Sequence, residues 1–384
     1  MELTAQAALV TEKVNHLLSE QDLPAALTIE RCASELAMSM TSFRRKLAEE
    51  DTSFKLIQTK FLHELCINQL SHSSVKIDDL AIRLGYSERA TFERAFKQKF
   101  GLTPSQYRVL AIGNKEVSGK ESLFELAKSM PPMSESCQKL VALREQDGLD
   151  LNKVTTIIEH DPILAGRIIG QASKAIYGKT PNNLQEAIGR NIGVESVVNL
   201  AVLFAVSDAL SDSVDAALIE KYRQAFVLAP RIVRWCYRSK VIDRASDNGL
   251  TEQVLMFALI GVFLLNHSES ENNRLILHAM QGVEELDLLN QHVKSTLGVS
   301  VFAASSLMLT QWSIDARVIK QLTLMDKQSL TKGKGSNELA RLIFLLTCFY
   351  RFACAHPISE EFTAQAEQLG MDHFEELLAL LGEA

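Results

Sequence analysis

Between residues 77 and 96 the apolar positions fall at helical spacing. Ile77, Leu80, Ala81 and Leu84 share one face of a short helix. Gly85 follows, the residue that takes a left-handed turn at least cost, and Ser87 stands where it can cap the next helix by accepting a backbone N–H. That second helix turns Phe92 and Phe96 inward, four residues apart, and Arg89, Thr91, Arg94 and Lys97 outward. The pattern predicts a helix-turn-helix, and it is written twice. Ile29, Ala33, Leu36 and Ser39 recur 48 residues later as Ile77, Ala81, Leu84 and Ser87, while Phe43, Arg45 and Leu47 recur 49 later as Phe92, Arg94 and Phe96. In the first copy Thr28 is the expected cap, the turn runs through Ala37 and Met38, and the second helix presents Thr41, Ser42, Arg44 and Arg45. Ala37 takes the place of Gly85; if the turn needs a positive backbone angle, alanine costs roughly 1 kcal/mol there. Phe54, Ile57, Phe61, Leu65 and Leu70 predict one long helix between the copies. Small helices that show arginines to solvent beside a packed partner suit successive major-groove segments of DNA, about 34 Å apart.

Beyond Arg108 the pattern changes. Residues 111–122, rich in glycine, serine and charge, read as a linker. Asp150 can cap a helix carrying Val154, Ile157 and Ile158, and Asp161-Pro162 starts another with Leu164, Ile168 and Ile169. Further amphipathic stretches run over Ala187–Val206, Ile219–Val241, Leu255–Leu265 and Val301–Leu324. In the tail, residues 337–384, Leu342, Phe344, Leu345, Leu346, Phe349 and Phe352 surround one helix, which must be buried against the bundle or against a second copy of the chain. Phe374, Leu377, Leu378 and Leu381 mark a final helix. Strand alternation is almost absent, so the expected fold is all-α: a tandem helix-turn-helix domain over 1–110, a helical bundle over 123–330, and a helical extension over 337–384.

Charge adjusts this picture only slightly. The 384 residues carry 40 Lys+Arg and 47 Asp+Glu, a net charge of −7, which is not the usual balance of a nucleic-acid binder. Within residues 28–108, however, 13 basic side chains face 10 acidic ones, net +3. Binding to a polyanion would depend on well-placed contacts more than on bulk charge. The six cysteines form no C-x-x-C pair and the histidines no zinc spacing, so they read as buried thiols in a reducing compartment. No basic head followed by an apolar core opens the chain, and the most apolar run, Val254–Leu265, is too short to span a bilayer. A soluble, cytoplasmic protein with no membrane contact is expected.

Residues 27–108 resemble the DNA-binding domain of the AraC/XylS family of bacterial transcription regulators. The likeness rests on Ile77-Asp78-Asp79-Leu80-Ala81, Leu84-Gly85-Tyr86-Ser87, Phe92-Glu93-Arg94-Ala95-Phe96-Lys97, Phe100-Gly101, Thr103-Pro104 and Tyr107-Arg108. The resemblance implies base contacts from Thr41, Arg44 and Arg45 in the first recognition helix, and from Arg89, Thr91 and Arg94 in the second. Ser42 and Lys97 share those exposed faces. Arg45 and Arg94 can equally hold a phosphate or a neighbouring carboxylate, and Glu93 either accepts from a cytosine amino group or pairs with Arg89 or Lys97. The family usually places this domain last; here it comes first.

A second resemblance begins at Met130-Pro131-Pro132 and runs through Ile158, Asp161-Pro162, Leu164, Ile168, Ala172-Ser173, Tyr177-Gly178, Glu186-Ala187-Ile188, Ile192-Gly193 and Asn199-Leu200, with Leu297-Gly298-Val299 later. These residues are similar to the HDOD domain, a signalling relative of the HD metal-dependent phosphohydrolases that in general lacks their activity. A metal hydrolase needs several converging ligands. His267 is followed by Ser268, and the one literal His-Asp, His160-Asp161, has its aspartate at a helix start. Gly113 and Gly119-Lys120 miss the spacing of a phosphate-binding loop. No catalytic residue, metal or cofactor is expected. The sequence therefore reads as a sequence-specific transcription regulator whose partner is double-stranded DNA and whose bundle senses a small molecule or protein. The alternative is a non-catalytic signalling adaptor in which the bundle is the main docking module. Homodimerisation is compatible with either, and no residue of the bundle is named as a ligand contact.

Overall fold

The computed structural model describes residues 9–50, 52–112, 127, 133–146, 149–173, 179–210, 228–247, 249–268, 275–312, 314–331 and 336–382. Among these there is no strand, and the chain divides into two compact units, Met1–Ile112 and Gly113–Ala384. Residues 113–122 of the expected linker lie outside the described residues, as do Met130–Pro132, Tyr177-Gly178 and 332–335.

The first unit is built from α1 (Val10–Ser19), a 3-10 turn (Pro24–Ala26), α2 (Ile29–Glu35), α3 (Met40–Glu49), α4 (Phe54–His72), α5 (Ile77–Arg83), α6 (Arg89–Phe100) and α7 (Pro104–Ile112). The long connector predicted from the apolar spacing is α4, 19 residues and about 28 Å at the usual helical rise. Ser53 caps it, accepting from the Leu56 N–H at 3.3 Å. Its first turns bury Phe54 and Ile57 in a core with Val14, Leu18, Cys32, Phe43 and Leu47. Its last turns bury Cys66, Ile67 and Leu70. On the second side, Phe92, Phe96, Phe100 and Tyr107 form a tilted aromatic stack with centroids 4.5–5.9 Å apart. His63 of α4 lies on Phe100 at 5.0 Å, and burial holds its imidazole down at about 4, so it is neutral at physiological pH.

Helix α1 is tied down from its N-terminal end by Glu50. That carboxylate accepts from the Val10 N–H at 2.8 Å, the Thr11 N–H at 2.9 Å and the Thr11 hydroxyl at 2.6 Å. Partial burial alone would raise the Glu50 carboxyl, but these hydrogen bonds outweigh it and leave the group below its ordinary value.

The second unit comprises α8 (Glu135–Gln146), α9 (Leu151–Glu159), α10 (Pro162–Ala172), α11 (Leu184–Glu186) running on as a π-helix (Ala187–Ile192), α12 (Val194–Leu210), α13 (228–238), α14 (Arg244–Asp247), α15 (Leu250–Phe257), α16 (Gly261–Ser268), α17 (Leu275–Gly282), α18 (Leu286–Leu297), α19 (Val301–Gln311), α20 (Ala316–Thr331), α21 (Asn337–Cys354), α22 (Glu360–Gln368) and α23 (Phe374–Gly382). Asp150 and Asp161 cap α9 and α10 as their positions predict, with N–H to carboxylate distances of 3.0 Å. Three stretches expected to be continuous are instead broken. Gly193, at φ 99°, separates the π-helix from α12, and the two segments meet at 108°. The Val301–Leu324 stretch stops at Trp312 and resumes at Ala316. Between α15 and α16 the cause is a foreign side chain: the Ser305 hydroxyl of α19 donates to the Ala258 carbonyl at 2.6 Å and accepts from the Gly261 N–H at 2.8 Å. Insertion of the side chain interrupts the i to i−4 ladder there.

Gly261 also lets α16 and α19 approach backbone to backbone. A Cβ at this position would lie 2.3 Å from the Ser305 nitrogen and 2.6 Å from the Val301 oxygen. The tail folds back into its own unit: Phe344 stacks on Phe362 at 4.3 Å and meets Phe374 at 5.3 Å, and Trp235 of α13 meets Phe374 at 6.2 Å. Buried Arg351 lies 4.5 Å over Phe362, donates to the Pro357 carbonyl at 2.6 Å and pairs with Glu285. All six cysteines are buried and none is in a disulfide, and burial pushes the thiols of Cys66, Cys137 and Cys348 up to about 12.

Two outcomes follow from these contacts. Gly261→Ala is expected to lower the stability of the second unit by about 3 kcal/mol in urea unfolding, because backbone rather than a pliable side chain must move; a loss below about 1 kcal/mol would show that α16 and α19 can part freely. The Glu50 contribution is complete above its unfolded value of 4.5 and is lost as pH falls through the lower folded value. Hydrogen exchange should therefore show α1 amides losing protection below about pH 4.5, a dependence that Glu50→Gln flattens.

Candidate nucleic-acid interface

Each recognition helix, α3 and α6, is aimed by the turn before it, and the two turns are the same object. In the first copy the Ala37 N–H donates to the Ser34 carbonyl and the Met38 N–H to the Ala33 carbonyl, both at 2.9 Å. In the second the Gly85 N–H donates to Ile82 and the Tyr86 N–H to Ala81, again at 2.9 Å. This paired bonding closes a helix through a left-handed residue. Ala37 adopts φ 53° and Gly85 φ 87°, so the alanine does carry the strain its position implies. At Gly85 a Cβ would come within 2.7 Å of the Ala25 Cβ, and only glycine fits.

The helix starts differ. Thr28 caps α2 and Ser39 caps α3, accepting from the N–H groups of Arg31 and Ser42 at 3.3 Å. Ser87 does not cap α6. The register shift from 48 to 49 residues inserts one residue between Ser87 and Phe92, so Glu88 occupies the cap position, extended at φ −137° and without a side-chain cap bond.

Phe43 and Leu47 on α3, and Phe92 and Phe96 on α6, are buried and hold the helices by one face. Thr41, Arg44 and Arg45 stand exposed on the other face of α3 at i, i+3 and i+4, with Ser42 half-buried beside them. Arg89, Thr91, Arg94 and Lys97 are all exposed on α6. Arg44 and Arg94 have no carboxylate partner among the described residues; Arg94 Nε only approaches the Ala90 carbonyl of its own helix, at 3.5 Å. Arg45 lies 3.6 Å from Glu49, with both side chains more than 60% exposed, a weak pair. Arg89 is held from two sides, its Nε donating to Glu93 at 2.7 Å and its Nη1 lying 3.3 Å from Asp78 of α5. Glu93 therefore pairs with Arg89, one of the two partners its spacing offered. The Asp78 contact crosses the turn and has no sequence spacing that announces it. Arg108 is used differently: its Nη2 donates to the Val75 carbonyl at 2.6 Å and ties α7 to the loop before α5.

The second unit contains a buried polar hub. Arg144 of α8 donates to Gln253 of α15 at 3.1 Å and to Asn199 of α12 at 2.7 Å, and Asn199 donates in turn to Glu252 at 3.2 Å. Glu195 lies 3.8 Å from Arg144 at the exposed end. Burial pushes the Glu252 carboxyl up and the Arg144 guanidinium down. Among the described residues no group of three or more His, Cys, Asp and Glu could hold a metal. Asp161 is occupied as a helix cap and His160 Nδ1 meets the Thr156 carbonyl at 2.6 Å, while the side chain of His267 lies outside the described residues.

Comparison with known proteins places both units. Residues 32–109 match the model of a helix-turn-helix domain of the AraC type, and residues 130–327, just over half of the chain, match the HDOD domain. The chain belongs to the HDOD family. The chain is 31% identical over 81 residues to the HTH-type transcriptional regulator GadX of Escherichia coli K12, covering 21% of this chain and 30% of GadX. It is 36% identical over 76 residues to the HTH-type transcriptional regulator VqsM of Pseudomonas aeruginosa, covering 20% of this chain and 23% of VqsM. The HDOD protein thus matches these curated relatives over only 23–30% of their length. A Marinobacter aquaeolei VT8 protein, crystallised at 2.25 Å resolution and proposed to act in signal transduction, shares the fold with a TM-score of 0.51 at 19% identity, over 68% of this chain and 60% of that one.

Ala37→Gly is expected to stabilise the first unit by about 1 kcal/mol by removing left-handed strain. Thermal unfolding with no gain would show that the turn accommodates an alanine Cβ without cost.

Proposed function

We propose that this chain is a sequence-specific DNA-binding transcription regulator in which α3 and α6 read DNA and the HDOD domain senses a ligand or partner. The observation that carries the reading is that two recognition helices, each with exposed arginines on its outer face, are joined through one long helix, α4, whose start shares a core with α3 at Phe43 and Phe54 and whose His63 lies on Phe100 of α6. Thr41, Arg44 and Arg45 would contact one major-groove segment and Arg89, Thr91 and Arg94 the next, with Ser42 and Lys97 on phosphates or at the groove edge. The modest positive excess of this stretch suits discrimination by placed contacts rather than tight non-specific binding.

In the HDOD domain, the support for sensing is the hub at Arg144, Asn199, Glu252 and Gln253, which joins three helices through buried polar groups. Such groups cost desolvation when a partner is lost, and Arg144 Nε already lacks a hydrogen-bond partner among the described residues, so a signal that moves α8, α12 or α15 would change the arrangement in a stepwise manner. In this reading the domain carries out no reaction.

Selection from random duplexes at near-physiological salt tests the proposal. The intact chain should enrich a motif with two half-sites about one helical turn apart. Arg45→Ala and Arg94→Ala should each relax one half-site, costing about 1–3 kcal/mol on the preferred base where the arginine reads guanine. Enrichment of no sequence, with binding that vanishes steeply as salt rises, would move the adaptor reading ahead.

A further inference from the structure

We propose that Asp78 and Glu93 are specificity-determining residues that act through Arg89, restraining its guanidinium so that it contributes on a preferred base edge and little on bare phosphate. The inference rests on reading the paired helix-turn-helix as a DNA-binding unit.

The geometry sets Arg89 apart from the other arginines of the two outer faces. It opens α6, the first residue after the turn, beside the first turn of α5. Glu93, one helical turn on, takes its Nε at 2.7 Å, and Asp78 takes Nη1 at 3.3 Å. A phosphate oxygen approaching Arg89 meets a cation already served by two carboxylates, and those carboxylates repel the phosphate as well. A single phosphate contact does not recover both partners. A guanine edge offers two acceptors in the fork geometry of the guanidinium and does so without net negative charge beside Asp78 and Glu93.

The first copy lacks the device. The residue 49 before Arg89 is Met40, and the residue 49 before Glu93 is Arg44. Where the second helix has a carboxylate holding an arginine, the first has an arginine with no carboxylate partner among the described residues. The two recognition helices thus divide the work. The first offers Arg44 to any backbone that comes near, and the second withholds Arg89 until an acceptor of the right shape displaces the carboxylates. With 13 basic against 10 acidic side chains in residues 28–108, each cation withheld from phosphate is a sizeable part of the electrostatic attraction.

The test uses the intact chain and two duplexes of equal length, the one recovered by selection and a scrambled version, with affinities measured by fluorescence anisotropy across a salt series. Asp78→Asn/Glu93→Gln should tighten binding to the scrambled duplex about five-fold and steepen its salt dependence by about one unit of slope, the signature of one extra phosphate contact. Affinity for the selected duplex should change less than about two-fold, so the ratio between the two falls. Glu93→Gln alone should give the same trend at smaller size. In an Arg89→Ala background the same substitutions should leave the scrambled duplex within about two-fold, because the cation they release is gone. Equal gains on both duplexes, or a gain that persists undiminished without Arg89, would overturn the inference and reduce the carboxylates to simple repulsion. A wild-type chain that does not discriminate between the duplexes would overturn the DNA-reading function itself and the inference with it. Discrimination by the wild type with an unchanged ratio in the variants would remove the inference alone.

Discussion

Everything in the first unit depends on α4 being buried at both ends. Phe54 and Ile57 lock its start into the core that carries α3, His63 at its middle lies against Phe100 of α6, and Cys66, Ile67 and Leu70 are buried in its last turns. A helix of 19 residues held in this way is a ruler: the recognition helices cannot change their separation without one core or the other opening. Neutral His63 is part of that arrangement, since a charged imidazole under Phe100 would carry an uncompensated desolvation cost next to Lys99. The outer faces of α3 and α6 are exposed and polar, while the cores behind them are apolar.

Much of this was legible from spacing. The double pattern predicted both helix-turn-helix copies, the connector and the strain at Ala37, because each is a local matter of periodicity and turn chemistry. Even the failure of Ser87 as a cap was written in the sequence, in the change of shift from 48 to 49 residues. What stayed hidden involves partners distant along the chain. Asp78 reaches Arg89 across a turn, and Ser305 enters the helix ladder at Gly261 from 44 residues away, so an apolar run that reads as one helix is two. The all-round apolar tail helix declared that it was buried but not by what; its cover proved to be the same unit, through Phe362 and Phe374 and through the pairing of its own Arg351 with Glu285.

The two units use polarity in opposite ways. On α3 and α6 the charges face water, where a lone exposed pair such as Arg45–Glu49 is weak and easily exchanged for another acceptor, while Arg89 is held by two carboxylates. In the HDOD domain the hub of Arg144, Asn199, Glu252 and Gln253 is enclosed, and there a single lost partner strands a polar group in a low-dielectric interior. The first arrangement favours graded competition among ligands. The second favours a few discrete packings of α8, α12 and α15, which is the behaviour a sensor element needs.

The burial of the thiols bears on how oxidants can act on this protein. Reaction with peroxides, disulfides or electrophiles proceeds through thiolate, and a group raised to about 12 is ionised in roughly one molecule in 10⁵ at neutral pH. Cys66 in the helix-turn-helix unit and Cys137 and Cys348 in the HDOD domain are all in this state and have no exposed sulfur to offer. Oxidative stress would therefore reach these sulfurs only after the fold had opened, as damage and not as information.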